Sequence, residues 1–256
     1  MDEPTAVPEG LARDAAARSG ADTRVAAVLF DFASTLFAPR PTTELVANAA
    51  AALGLELPED ECIELANSYL AAGVPGGPYP RVMPDHLASL YAQRDLSPDI
   101  HRAAYAGLLS AVVQPFPGLA DALYEEVLAA RGWVPYTDAR SVIDALKTRG
   151  IRVGLISNIG FDLRPILRLH GFDDLADTCT LSYEVHAIKP DPAIFRAALR
   201  KVGDQPASTV MVGDDPSADG GASALGMPTL ILPMTPPGTS HGLERVVSLT
   251  DQPGSR

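Results

Sequence analysis

The chain has 256 residues, 46% of them hydrophobic and 20% charged, a balance that supports a large buried core and excludes an intrinsically disordered polypeptide. Its 32 acidic residues against 20 basic ones leave a net charge of −12, which argues against nucleic acid or an anionic membrane as the main partner. Cys62 and Cys179 stand outside any C-x-x-C or Cys/His cluster and read as free, buried thiols in a reducing compartment. No apolar run reaches the length of a membrane span and the acidic start lacks a signal-peptide pattern, so a cytoplasmic location is expected.

Residues 1–23 mix Pro, Gly, Ala and charge without a strong period and are expected to form a mobile tail, with a short helix at 11–18. Val25–Phe30 is a short apolar run that ends on Asp31 and a Ser34-Thr35 turn, the pattern of a buried strand with a carboxylate at its end. The residues that follow read almost wholly helical: Thr42–Leu53, Pro58–Ala72, Pro84–Arg94, Pro98–Val113 and Gly118–Ala130. An insertion of this length cannot be a loop within a compact domain, so residues 39–133 are assigned to a separate helical cap, with Trp133-Val134-Pro135-Tyr136 as its return linker.

Beyond it, the runs Ile151–Ile156, Thr178–Leu181, Thr209–Val212 and Thr229–Leu232 alternate with helical patterns at Asp138–Arg149, Phe161–His170, Pro192–Val202 and Ser217–Leu225. Gly150, Gly171, Gly203 and Gly226 stop these helices in turn. The expected fold class is therefore α/β, a Rossmann-like core with a mostly parallel sheet (residues 24–38 and 134–235) and a separate α-helical cap. Residues 236–256 are rich in Pro and Gly and read as a C-terminal tail.

Four polar groups fall beside the ends of predicted strands, which share one edge in a parallel sheet. They are Asp31, the pair Ser157-Asn158, the run Lys189-Pro190-Asp191, and Gly213-Asp214-Asp215 through Asp219. Asp31, Asp214 and Asp219 offer hard oxygens suited to Mg²⁺. Ser157, Asn158 and Lys189 offer donors and a positive charge for the oxygens of a phosphoryl group. Each motif alone is ordinary cap or turn chemistry; their order and shared placement carry the argument.

These four motifs resemble those of the haloacid dehalogenase superfamily over about residues 25–235, with the helical insertion in the position of that superfamily's cap. The resemblance implies that Asp31 is nucleophile and Mg²⁺ ligand, that the Ala33 carbonyl and Asp214 are further ligands, and that Asp219, with Asp215, supports the metal and Lys189. It also implies a small phosphorylated metabolite as substrate and an aspartyl-phosphate at Asp31. The departure is Ala33, where family phosphatases carry an Asp that protonates the leaving group and then activates water, a role worth about 10²–10⁴-fold in rate.

Four explanations follow from Ala33. A histidine can take over the proton transfer, with His86, His101 and His186 as candidates. A phosphonoacetaldehyde-hydrolase-like chemistry would need a cap lysine, yet the three lysines, Lys147, Lys189 and Lys201, all lie outside the cap. A metal-free 2-haloacid dehalogenase would leave Asp214, Asp215 and Asp219 repelling an anionic substrate. A regulatory, non-catalytic phosphate-binding protein would retain the fold and lose turnover. Within the cap, Tyr79, Arg81, His86, Arg94, His101, Arg102 and Tyr105 are available to face substrate, with Arg81 and His86 foremost.

Overall fold

The computed structural model describes residues 24–110, 112–113 and 116–250; the short helix expected at 11–18 lies outside them. Five parallel strands form the central sheet: β1 (Ala27–Phe30), β4 (Arg152–Ser157), β5 (Cys179–Leu181), β6 (Thr209–Gly213) and β7 (Thr229–Ile231), in the order β5-β4-β1-β6-β7. β1 lies at the centre, hydrogen-bonded to β4 on one side and β6 on the other. All four of its residues are fully buried, as a strand covered on both faces must be. Val28 and Phe30 enter the larger apolar cluster and Ala27 and Leu29 the smaller one, the period-two alternation of a strand between two layers.

Helices cover both faces. α6 (Ala139–Thr148) sends Val142, Ile143 and Leu146 into the larger cluster. α7 (Arg164–Leu169) adds Ile166 and Leu167 to it. α9 (Pro192–Val202) sends Ile194, Phe195 and Ala198 into the smaller cluster. The start of α9 is set by Asp191, whose carboxylate accepts the Ala193 N–H, and by Pro192 in the first turn; Gly203 stops it in the left-handed conformation. Between β5 and α9 lies the single turn α8 (Ser182–Val185).

The insertion contains α1 (Thr42–Ala52), α2 (Glu59–Ala72), α3 (Asp85–Ala92), α4 (Pro98–Ser110) and α5 (Leu119–Leu128), with a 3₁₀ turn at Arg94–Leu96. The assignment of Trp133–Tyr136 to a linker is corrected by the structure. β3 (Trp133–Pro135) pairs antiparallel with β2 (Phe37–Pro39), so the chain leaves and returns to the core through a two-stranded ribbon. Trp133 anchors that ribbon: it is fully buried, its Nε1–H donates to the Val127 carbonyl at 2.7 Å, and its ring centroid lies 4.8 Å from that of Phe32.

Two further expectations change. Residues from 236 onward do not form a free tail as far as Thr250, because α10 (Glu244–Thr250) and Leu243 pack into the larger cluster through Leu243 and Val246. The Asp138 carboxylate accepts the backbone N–H groups of His241, Gly242 and Leu243 and ties this segment to the start of α6. Pro and Gly conceal such a segment from any periodicity reading, since what holds it is a distant carboxylate. The helix expected at 217–225 is a 3₁₀ turn over Asp219–Leu225, in a stretch weakened by Gly220 and Gly221. Cys179 is buried and Cys62 half-buried, both unbridged.

Candidate active site

The carboxyl ends of β1, β4 and β6 open into a cavity of about 380 Å³ whose far wall comes from the helical insertion. Asp31 follows β1 directly; its N–H bonds the Val212 carbonyl, which holds the residue in sheet register as the chain turns away. Leu36 and Phe37 then return their N–H groups to the Phe32 carbonyl, and Ser34 takes a positive φ of 58° to close the turn. Small residues permit this: a side chain at Gly76 would meet Trp133 Cη2 at 2.4 Å, in a loop that touches Ala33.

The ion-pair network at the floor of the cavity is buried. Lys189 Nζ lies 2.8 Å from Asp31 Oδ1 and 2.6 Å from Asp219 Oδ1, and also approaches the Ile156 carbonyl. Asp219 Oδ2 accepts the Asp215 N–H, and a Cβ on Gly213 would fall 2.0 Å from that same oxygen, so only glycine leaves room for the carboxylate to fold back. Asn158 grips the Lys189 peptide from both sides, donating through Nδ2 to its carbonyl at 2.9 Å and accepting its N–H on Oδ1 at 2.6 Å. The Asn158 side chain is thus committed to placing Lys189, which leaves its backbone as the part available to a ligand.

Electrostatics follow from this geometry. Burial, reinforced by Asp219 and Asp214 and opposed by Lys189, pushes the Asp31 carboxyl up to about 7. Burial and the neighbouring Asp219 push Asp214 up to about 6. Burial alone would drag the Lys189 ammonium down, yet Asp31 and Asp219 more than offset it and the net direction is upward. Oxygen atoms of Asp31, Asp214 and Asp219 all lie within 4.8 Å of one another. Three carboxylates thus share a buried site with one ammonium, a surplus of negative charge and hard oxygen donors that fits a divalent cation. Beside them, Ser157 Oγ is buried and has no hydrogen-bond partner, although Ser157 lines the cavity. A buried hydroxyl left unpaired costs free energy until an acceptor arrives.

The structure therefore brings together Asp31, Ala33, Ser157, Asn158, Lys189, Asp214, Asp215 and Asp219. It does not bring Arg81 or His86 there: both are exposed and lie outside the cavity lining. In α3 the buried positions are Leu87 and Tyr91, one helical turn apart, and His86 sits about 100° away from that face. His186 is likewise exposed, just past α8, and Arg102 is an exposed partner of Asp121 and Glu125.

Tyr79, Arg94, His101 and Tyr105, all within the wider set of cap candidates, do line the cavity, joined by Tyr91 and Asp95. The Arg94 guanidinium lies 4.1 Å over the Tyr91 ring, and its NH2 group is 3.4 Å from Asp95 Oδ2. His101 is buried with Nδ1 2.7 Å from the Tyr124 hydroxyl; burial, helped by Arg94, pulls its imidazole down to about 3, so the ring is neutral. Asp95 was invisible to sequence reasoning, being one acid among many in an acidic chain.

The match to a family model then covers residues 25–225 and carries the description haloacid dehalogenase-like hydrolase. The chain belongs to the haloacid dehalogenase-like hydrolases. Its four motifs meet in the cavity described above. It is 31% identical to the mouse (Mus musculus) haloacid dehalogenase-like hydrolase domain-containing protein 3 over 134 residues, 52% of this chain and 53% of that one, so the chain spans about half the length of this relative. It is 29% identical to a ribulose-1,5-bisphosphate 5-phosphatase from Halopiger xanaduensis, over 80% of this chain and 83% of the relative. A glyceraldehyde 3-phosphate phosphatase from Methanothermobacter thermautotrophicus is 26% identical over 80% of this chain and 84% of its own. Among solved structures, a phosphatase of this family from Thermococcus onnurineus has the same fold, with a TM-score of 0.56, 22% identity and coverage of 90% of this chain and 99% of that one. Among the described residues no helix is long and apolar enough to cross a membrane.

Proposed function

We propose that this hydrolase is a Mg²⁺-dependent phosphatase of small phosphorylated metabolites that works through an aspartyl-phosphate at Asp31. The observation that carries the reading is the surplus of buried carboxylate around one lysine beside an unpaired Ser157 hydroxyl: the floor of the cavity has room for a cation and, next to it, an anion. Phosphatase names among relatives that align over most of their length support the same class. Asp31, the Ala33 carbonyl, Asp214 and Asp219 would hold the cation, which when bound neutralises phosphoryl charge and keeps Asp31 and Asp214 ionised.

This chain's own groups do the rest. Ser157, Lys189 and the Asn158 backbone bind the non-bridging oxygens, and Lys189 holds Asp31 Oδ1 in place at 2.8 Å. Asp31 attacks phosphorus and the leaving oxygen departs toward the insertion. The insertion, residues 39–133, acts as a cap that closes the cavity and selects the substrate, with Arg94 as its cation facing the site. The test is a hydrolysis screen over phosphorylated metabolites with and without Mg²⁺, comparing wild type with Asp31→Asn. Phosphate release that requires both Mg²⁺ and Asp31 is expected. Unchanged turnover in Asp31→Asn, or halide release from a 2-haloacid without metal, would overturn the reading.

A further inference from the structure

Ala33 removes the group that family phosphatases use for proton transfer, and five carboxylates line the cavity as candidates to replace it. Asp31, Asp214 and Asp219 belong to the floor cluster around Lys189. Asp215 Oδ1 is occupied by the N–H groups of Ser217 and Ala218. Asp95 is the one that remains, on the opposite wall and carried by the insertion. We propose, on the basis of the phosphatase reading above, that Asp95 is the general acid and base of this enzyme, supplied from the cap in place of the side chain missing at Ala33.

Three observations support the assignment. First, Asp95 does not float with a mobile cap. Ser182 Oγ donates to the Asp95 carbonyl at 2.6 Å and itself accepts the Ile159 N–H at 2.8 Å, so one hydroxyl ties this residue to the loop that carries Ser157 and Asn158. Close packing reinforces that seat, because a Cβ on Gly160 would lie only 2.4 Å from His101 Cβ. Second, Asp95 is buried yet lines the cavity, and its carboxylate feels the charge of Lys189.

Third, its surroundings raise its proton affinity. Burial raises the Asp95 carboxyl above the usual range, and Arg94 and Lys189 oppose that rise without cancelling it. The other groups around it carry no competing charge: Tyr91, Tyr105 and His101 are neutral, and Glu184 on the packed α8 turns to Arg164. An arriving phosphoryl dianion adds like charge and acts in the same direction as burial. His101 is thereby excluded as the donor, since its ring holds no transferable extra proton near neutral pH.

The step balances. Asp31 Oδ forms a bond to phosphorus as the bond from phosphorus to the leaving oxygen breaks, and the Asp95 proton passes to that oxygen to release the alcohol. Asp95, now ionised, takes a proton from water as the water oxygen attacks phosphorus. The bond from phosphorus to Asp31 breaks, which returns the Asp31 carboxylate, free phosphate and a protonated Asp95.

The experiment compares wild type, Asp95→Asn and the double variant Asp95→Asn/Ala33→Asp, with Mg²⁺ present, on an alkyl phosphate and on p-nitrophenyl phosphate. Asp95→Asn should lower alkyl-ester kcat by about 10²–10⁴-fold. On p-nitrophenyl phosphate, whose leaving group needs no proton, it should keep a fast burst of about one equivalent per site followed by slow turnover, with acid-stable phosphoenzyme accumulating. Ala33→Asp should restore alkyl-ester turnover in the double variant. Asp95→Asn within about threefold of wild type on the alkyl ester would overturn the assignment, as would an equal loss on both substrates with no burst and no rescue. A wild type inert toward every phosphate ester would instead overturn the phosphatase reading on which the assignment rests.

Discussion

Replacing the proposed nucleophile should make the metal-free protein more stable at alkaline pH, and the size of the effect is set by the buried cluster. Asp31 is held at about 7 against an ordinary value of 3.8, so the folded state binds its proton more tightly than the unfolded chain does. The cost of ionising it in the fold is fully present above about pH 7, fades as pH falls through the folded pKa, and is absent below the unfolded one. At about 1.4 kcal/mol per pH unit, that cost is on the order of 4 kcal/mol. Asp31→Asn carries no such titration; its loss of the Lys189 partner shifts stability by an amount constant across this range. Urea unfolding in EDTA, run from pH 4 to pH 8, should show the variant gaining on wild type by roughly 3–4 kcal/mol over that interval. Saturating Mg²⁺ should erase the gain, because the cation stabilises the ionised Asp31 carboxylate. Parallel stability profiles for the two proteins in EDTA would refute the argument that Asp31 is buried at the expense of its charge.

Three other outcomes are expected. Trp133→Ala, which empties a fully buried site and orphans the Val127 carbonyl, should cost about 3–5 kcal/mol in denaturant unfolding. Arg94→Ala should raise KM for phosphorylated substrates more than it lowers kcat, since the guanidinium faces the cavity from the insertion and not from the floor. His101 is depressed to about 3, so the unfolded chain takes up its proton first and this residue makes the protein lose stability as pH falls from about 6.5 toward 3. His101→Gln should make the slope of stability against pH more negative than in wild type by about 1.4 kcal/mol per pH unit between pH 4 and 6, read from urea midpoints.

Much of the core was legible in the sequence because its signals are local. Val25–Phe30 announces a buried strand by composition, and the structure makes Ala27–Phe30 the centre of the sheet. Asp191, Pro192 and Gly203 bound α9 by cap chemistry that acts within a few residues. The placement of Asp31, Ser157 and Asp214 needed only the rule that parallel strands end on one edge, whereas Lys189, beyond the turn α8, is set by Asn158. Where sequence reasoning strayed, the deciding contact was distant. Trp133–Pro135 became a strand because Phe37–Pro39 is its partner, and 236–250 was held by Asp138 about a hundred residues away.

The insertion side of the cavity shows the division most clearly. Composition and helical spacing determined that an insertion exists, and motif order determined which core residues meet beneath it. Which face of each insertion helix looks inward was decided only by packing: Leu87 and Tyr91 bury together, so His86 turns to solvent, while the turn after α3 carries Arg94 and Asp95 to the site. Burial also decided charge. An aspartate reads the same in any sequence, but at the Asp31 site it loses water and gains acidic neighbours, and its proton affinity rises accordingly. Desolvation and through-space proximity are properties of the folded chain, and they are what turn four ordinary motifs into one buried charged cluster.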